Sequence, residues 1–430
     1  MSSTTLQKAA VVVRENGTSR FEVREIAKPE VKPWEILVNI TATGICGTDI
    51  SLAAGHLGPS CDVLGHEGVG RVEAIGAGVD PTVAKVGDRV GVAWVRDACG
   101  DCECCRVPAG ETRCVEQLNS GRKLDGTFAE YCAVPSRYVL KLPDDLTVSD
   151  ELVAPILCGG VTAYNALKSC RATPGEWVAV SGAGGGVGAL AIQYAKAMGY
   201  RVIAIDLGTD KKEYCLKLGA EVYVDAKEDV TALVNKATKG TRAKAVIVSA
   251  GSGAAYQNAF DIVAAFGTVV CVGIPPPHQT MTLHPLQFID KGFTIIGSVT
   301  GTRTDTLEAL EFVQRGVVTP AIHPISLNEL PDVADRVATT TGKYVVRFDQ
   351  QKVDQQKAED WIEENAEGKT EEKAEEKGEV KTEQKSEEKA EEEAVEKAGE
   401  KVEEKGREDG EVPSKALDSS QEKNNSCCAL

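Results

Sequence analysis

Four cysteines crowd into one short stretch, Cys99, Cys102, Cys105 and Cys114, spaced C-x2-C-x2-C-x8-C among Gly, Asp and Glu residues. Four thiolates neutralise and exceed the charge of Zn²⁺, and the short gaps let one loop wrap a tetrahedron at little closure entropy. With no ligand position left open, such a zinc is structural. Cys104 sits inside the cluster and is set aside because the two-residue gaps repeat without it. The competing reading is a chance group of free thiols. A second set is dispersed: Cys46 in Gly44-Ile45-Cys46-Gly47-Thr48-Asp49, His66 in Gly65-His66-Glu67, and Cys158 in Pro155-Ile156-Leu157-Cys158-Gly159-Gly160. Spacing does not join these three, and a lone buried Cys is usually a small apolar residue. Two Cys and one His nevertheless supply the three ligands and free position of a catalytic zinc.

A third element of chemistry is the run Ser181-Gly182-Ala183-Gly184-Gly185-Gly186-Val187-Gly188. Glycines there let the backbone turn sharply and bring its amides, with a helix N-terminus, against a pyrophosphate. The strict G-x-G-x-x-G pattern is not met, because Ala183 holds the first position of the best register, and a tight packing turn is the bland alternative. Asp206 follows 18 residues after Gly188, where a carboxylate accepts both ribose hydroxyls and repels a 2′-phosphate. Together these predict dinucleotide binding, with NAD favoured over NADP.

The elements that must position these residues change character along the chain. Up to about residue 150 short strands alternate with glycine turns: Ala9–Val13, Glu35–Ile40, Gly68–Val72 and Gly87–Val92. From about 155 the rhythm becomes strand, helix, strand, with strands over Trp177–Ser181, Tyr200–Asp206, Ala245–Val248, Thr268–Val272 and Thr294–Ile296 and a helix over Ala189–Met198. That alternation is what a parallel sheet with crossover helices requires. After Phe348 the composition turns to Glu, Lys, Ala and Gln without an apolar stripe, which predicts a disordered tail. The tail from Gln351 carries 26 acidic and 14 basic residues, so −12 of the net −17 belongs to it. The acidity therefore says little about what the globular part binds. No basic patch points to nucleic acid, no apolar run approaches a membrane span, and Met1 to Ala10 lacks the form of a signal peptide, so cytoplasmic residence is expected. Twelve of the 14 cysteines precede residue 350 and are expected to be free.

On these residues, the chain from about Ala9 to Phe348 resembles the zinc-dependent medium-chain alcohol dehydrogenases, especially the yeast-type fungal enzymes. The similarity is densest over Ala154–Lys168 and Gln193–Val202. It implies an α/β fold: a GroES-like β-barrel catalytic domain (1–155), a Rossmann NAD-binding domain (156–297), a return to the catalytic domain (298–348) and the tail (349–430). It further implies one catalytic and one structural zinc per chain, NAD, a small alcohol or aldehyde substrate, and a homo-oligomer, tetrameric as in yeast-type enzymes. Cys46, His66 and Cys158 then look like the catalytic zinc ligands, and Glu67 like a carboxylate that can approach the metal. Asp49 resembles the acid that orients the His ligand. Thr48 resembles the hydroxyl that takes the alcohol proton before hydride passes to the nicotinamide. Gly182, Gly184, Gly185, Gly186, Val187 and Gly188 match the dinucleotide turn, Asp206 and Lys211 the adenosine-ribose pair, and Val272 and Ile274 the backbone positions at the nicotinamide. Lys343 stands where the family usually has a cofactor-binding Arg, keeping the charge but losing the fork.

The chain departs from the family in several places. Ser51 replaces a relay histidine and does not titrate as an imidazole does. Gly47 replaces a basic residue at the pyrophosphate. The segment from Cys46 to His66 is a few residues shorter than in yeast-type enzymes, Trp94 matches one pocket tryptophan, and Leu57 lies near the place of the other, so a pocket for alcohols bulkier than ethanol is expected. His56 is a candidate substitute in proton transfer, but a surface histidine with no role is the favoured reading. Gly44–Asp49 also resembles polyol dehydrogenases of the same superfamily, which Cys158 and the four-cysteine loop disfavour. The last residues, Cys427-Cys428-Ala429-Leu430, fit a C-a-a-X prenylation signal, which would give weak membrane association. A reading of the chain as a tail-mediated scaffold with a secondary dehydrogenase core is disfavoured by the complete ligand set.

Overall fold

Two sheets carry the fold, and the chain visits the first of them twice. The computed structural model describes residues 5–348; the expected tail and its terminal cysteines lie outside the described residues. The first sheet runs in the order Ile322–Ser326, Lys343–Arg347, Glu35–Gly44, Gly68–Ile75, Arg89–Val92, Leu140–Lys141, with Tyr131–Pro135 also paired to Glu35–Gly44. Its pairs are antiparallel except for the last two strands in sequence, which run parallel to each other. A hairpin, Leu6–Glu15 with Thr18–Ala27, turns at Asn16-Gly17, both with positive φ as a two-residue hairpin turn needs. Its buried Ala9 and Val11 bridge to Ala129 and Val63 and attach it to the barrel.

The second sheet is wholly parallel, in the order Val222–Asp225, Arg201–Asp206, Trp177–Ser181, Ala243–Val248, Val263–Cys271, Thr294–Gly297. The first strand in sequence lies in the middle, with its successors laid down on one side and then the other. That is the doubly wound Rossmann order, whose switch point falls between Trp177–Ser181 and Ala243–Val248. Each strand expected in this half is present within a few residues; the helix expected from Ala189 begins earlier, at Gly186, because the glycine turn itself supplies the first turn of Gly186–Ala197.

One apolar core runs through both sheets. Ala42, Val69 and Leu140 of the first sheet and Val178, Val180 and Val202 of the second pack around Ala163, Ala166 and Leu167 of helix Gly159–Ser169. Ile156 and Leu157, on the turn before that helix, are at most 1% exposed. Burial of each contributes about 1.5–3 kcal/mol, which fixes the chain on either side of Cys158. All twelve described cysteines are free, and among the described residues no helix is long and apolar enough to cross a membrane.

Candidate active site

Helix Gly47–Ala53 opens with Cys46 as its N-cap, and Asp49 at the third helical position reaches back to the Cys46 N–H at 3.0 Å. The same carboxylate accepts from Gly65 N–H at 3.1 Å and lies 2.9 Å from His66 Nδ1. Asp49 is fully buried, so its ionised form needs these three donors. With the Nδ1 proton held by Asp49, the other ring nitrogen of His66 is left for a metal. Cys158 caps helix Gly159–Ser169 from the far side of the chain. Cys46, His66, Glu67 and Cys158 thus bring one ligand atom each to within 4.8 Å of one another. The ring of Trp94 meets the His66 ring edge-on, centroids 5.4 Å apart.

The electrostatics of this group suit the binding of a cation. A hydrogen bond from Cys158 holds the Cys46 thiol well below its ordinary pKa, and in return Cys158 is pushed well above its own, first by Cys46 and then by burial. Burial raises Glu67 to about 7 against the pull of Lys343. Glu67 Oε1 ion-pairs with Lys343 Nζ, while Oε2 is buried without a hydrogen-bond partner. An orphaned carboxylate oxygen beside two sulfurs and an imidazole is the donor set of a divalent zinc site. Gly44 leaves room for this carboxylate: a Cβ at that position would lie 2.0 Å from Glu67 Oε2.

The second cysteine group is as close. Cys99, Cys102, Cys105 and Cys114 form a ligand set within 4.8 Å that leaves out Cys104. Sulfur separations are 3.5 Å between Cys114 and Cys99 and 4.0 Å for Cys99–Cys105 and Cys102–Cys114. A tetrahedron of about 2.3 Å Zn–S bonds has edges of about 3.8 Å. Backbone N–H groups of Cys99, Cys102 and Cys105 point at the sulfurs of Cys114, Cys99 and Cys102 at 3.3, 3.4 and 3.4 Å, which favours thiolate. The loop is closed by the paired strands Val95–Asp97 and Leu118–Asn119. Buried Arg96 in the first of these fastens it to the barrel through Ser120 Oγ, Ala133 O and Asp125 O at 3.0, 2.7 and 2.9 Å.

At the dinucleotide turn, Gly182 has φ +78°, and a Cβ on Gly188 would lie 2.1 Å from Gly182 O. No side chain makes a capping hydrogen bond to the N-terminus of Gly186–Ala197. Asp206 accepts from Gly184 N–H at 2.7 Å and Leu207 N–H at 2.7 Å, and Lys211 Nζ stands 3.4 Å from it, its stem over Gly184. Gly184, Asp206 and Lys211 therefore form one unit with the turn. Val272 and Ile274 lie just past strand Val263–Cys271 at the same edge, Val272 N–H bonded to Val248 O at 3.1 Å and Ile274 exposed. Thr48 and Ser51, three apart on helix Gly47–Ala53, are both half-buried. Gly47 is exposed, and a Cβ there would meet nothing within 4 Å.

Lys343 makes one contact that sequence reasoning did not anticipate. Its stem passes Gly186, with Cγ 3.2 Å from where a Cβ would stand, and its ammonium ends on Glu67. One side chain thus spans from the dinucleotide turn to the cysteine–histidine cluster. Gly44 was likewise missed; the only signal for it was a glycine two residues before Cys46.

A Rossmann sheet whose turn lies one lysine away from a Cys-His-Cys cluster, with a separate four-cysteine loop on a barrel, defines a zinc-binding dehydrogenase of the medium-chain type. The model of the alcohol dehydrogenase GroES-like domain matches residues 32–144, and that of the zinc-binding dehydrogenase matches 186–315. An alcohol dehydrogenase of Geobacillus stearothermophilus is 43% identical over 347 residues, covering 80% of this chain and 100% of its own. One of Schizosaccharomyces pombe is 40% identical, covering 76% and 93%. The crystal structure of the Aeropyrum pernix alcohol dehydrogenase superposes with a TM-score of 0.71 at 29% identity, over 79% of this chain and 100% of that one. The chain belongs to the zinc-dependent medium-chain alcohol dehydrogenase family.

Proposed function

We propose that this protein is an NAD-dependent zinc alcohol dehydrogenase that interconverts primary or secondary alcohols with aldehydes or ketones. The observation that carries the reading is the span of Lys343 between the dinucleotide turn and the Cys46–His66–Glu67–Cys158 cluster, which sets a metal and a cofactor close enough to share a substrate. A zinc held by Cys46, His66 and Cys158 supplies a Lewis acid for the alcohol oxygen. Asp49 keeps the His66 tautomer that leaves a ring nitrogen free for it. Thr48 takes the alcohol proton, and Ser51, on the same helix face, passes it toward solvent. The amides of the turn at Gly184–Gly188 hold the pyrophosphate, Asp206 and Lys211 hold the adenosine ribose, and Val272 and Ile274 hold the nicotinamide edge. The four-cysteine loop holds a second zinc that is structural.

Zinc-binding dehydrogenase structures related to this chain include one from Sinorhizobium meliloti bound to NADP. The Asp206 carboxylate supports NAD here, because a 2′-phosphate would face it. The short Cys46–His66 segment, and Leu57 near the place of the family's second pocket tryptophan, support alcohols bulkier than ethanol. A panel of primary, secondary and aromatic alcohols with sorbitol and xylitol, each with NAD and NADP, tests the reading. NADH formation on simple alcohols supports it, and turnover confined to the polyols contradicts it.

A homo-oligomer is supported by the edge strand Thr294–Gly297, paired on one side, and by exposed Phe266, Leu286 and Ile289 nearby in sequence. Light scattering of the purified chain tests it. Prenylation of Cys427 is supported by the C-terminal sequence, and mass spectrometry from the native host showing an unmodified Leu430 terminus contradicts it.

A further inference from the structure

Two cations lie along the dinucleotide turn, and each is already committed to a carboxylate. Lys211 has its stem over Gly184 and its ammonium at Asp206; Lys343 has its stem over Gly186 and its ammonium at Glu67. At Gly47, beside the first ligand, there is no side chain and open space. The first turn of Gly186–Ala197 thus offers backbone amides to a pyrophosphate, which carries two negative charges, while both described lysines that pass the glycine turn are paired with carboxylates. Lys343 is the cation positioned to change partners. Its Cγ lies beside Gly186, so rotation about its outer bonds carries the ammonium between the helix N-terminus and Glu67. A small cleft of about 10 Å³, room for about one water, lies beside the stem and is lined by Gly186, Tyr214, Gly342 and Lys343 among others. The Tyr214 hydroxyl is buried there with no hydrogen-bond partner.

Glu67 is arranged to respond. Lys343 is attached to one of its oxygens, and the other is orphaned against Gly44 within the ligand group. We propose that Lys343 is one cation shared by two sites: it pairs with Glu67 beside the metal ligands until the cofactor pyrophosphate draws it away, so that cofactor loading releases the Glu67 carboxylate toward the metal. The exchange makes no covalent bond and moves no proton. It trades one buried ion pair for another, which keeps its cost low, since a buried charge left unpaired would be strongly destabilising. Reciprocity follows: bound cofactor weakens the Lys343–Glu67 pair by the same free energy by which that pair weakens cofactor binding. This inference rests on the dehydrogenase reading above.

The test is a double-mutant cycle on the zinc-loaded protein, read as the NADH dissociation constant by fluorescence. K343Q is expected to weaken NADH binding by about tenfold or more, the equivalent of about 1.4 kcal/mol. E67Q removes the competitor and is expected to tighten it by about tenfold when Lys343 is present, and to have no effect in the K343Q background. K343R is expected to restore affinity to within a few-fold of wild type. A lysine that merely fills space would give neither the tightening nor its disappearance. If E67Q does not fold, E67D, which withdraws the carboxylate by one methylene, takes its place in the same cycle with the same expected direction. Equal effects of the Glu67 variant with and without Lys343, or none, overturn the shared-cation inference while the dehydrogenase reading stands. Wild-type protein that binds no NADH overturns both.

Discussion

Asp49 Oδ1 lies 2.9 Å from His66 Nδ1, and the same carboxylate holds the backbone N–H groups of Cys46 and Gly65. One buried side chain therefore sets the tautomer of one ligand and the backbone at another. Asp49→Asn keeps the shape but removes the charge and can turn an NH₂ toward the imidazole. We expect zinc affinity to fall by about 10–100-fold, with a matching loss of turnover. Metal content after dialysis against a competing chelator measures it; unchanged retention would remove Asp49 from the account.

Gly44→Ala places a methyl group 2.0 Å from Glu67 Oε2. Strand Glu35–Gly44 pairs with neighbours on both sides, so it cannot retreat without breaking a ladder. The expected loss is about 1–3 kcal/mol of stability, together with weaker metal binding. Denaturant unfolding of the metal-free protein reads the first part, and an unaltered midpoint counts against the packing described.

The four-cysteine loop is expected to serve stability rather than chemistry. Cys102→Ser should lose about one zinc per chain and lower the unfolding midpoint, while the remaining zinc stays bound and NADH still binds. Loss of both metals together would show that the two sites are not independent.

Asp206→Ser removes the charge that would meet a 2′-phosphate. The ratio of kcat/KM for NAD over NADP is expected to fall by about tenfold or more, since about 1.4 kcal/mol of discrimination suffices for that. An unchanged ratio would place nucleotide selection elsewhere.

Lys168 Nζ bridges Asp305 Oδ1 at 2.9 Å and Glu308 Oε2 at 2.7 Å, joining helix Gly159–Ser169 to helix Arg303–Gln314. Burial works against ionised Asp305, but Lys168 and Thr302 outweigh it and hold it below the usual value; Lys168 and then Tyr164 do the same for Glu308. Folded pKa values below the unfolded ones mean that this stability is complete above the unfolded pKa and is lost as pH falls through the folded values. Lys168→Met should therefore lower stability at neutral pH and bring the two closer together near pH 3. Parallel curves from pH 7 to pH 3 would contradict the assignment.

What the sequence made legible follows from locality. The four-cysteine set, the glycine turn and the strand that ends at Asp206 are each contained in a short segment, and local spacing already carries their geometry. Cys46 and Cys158 are brought together only by the packing of helix Gly159–Ser169 between the two sheets, so without the family resemblance their partnership stayed open. The pairing of Lys343 with Glu67, 276 residues apart, had no local signal at all. The resemblance assigned Lys343 to the cofactor and Glu67 to the metal, and only the fold shows that one holds the other.

The central claim is that Cys46, His66 and Cys158 hold a zinc that acts on an alcohol beside bound NAD. The most direct measurement compares wild type and Cys46→Ser for NADH formation from a simple alcohol, with NADH binding measured on both. Turnover is expected from wild type and none from the variant, which still binds NADH. Turnover retained by Cys46→Ser would contradict it.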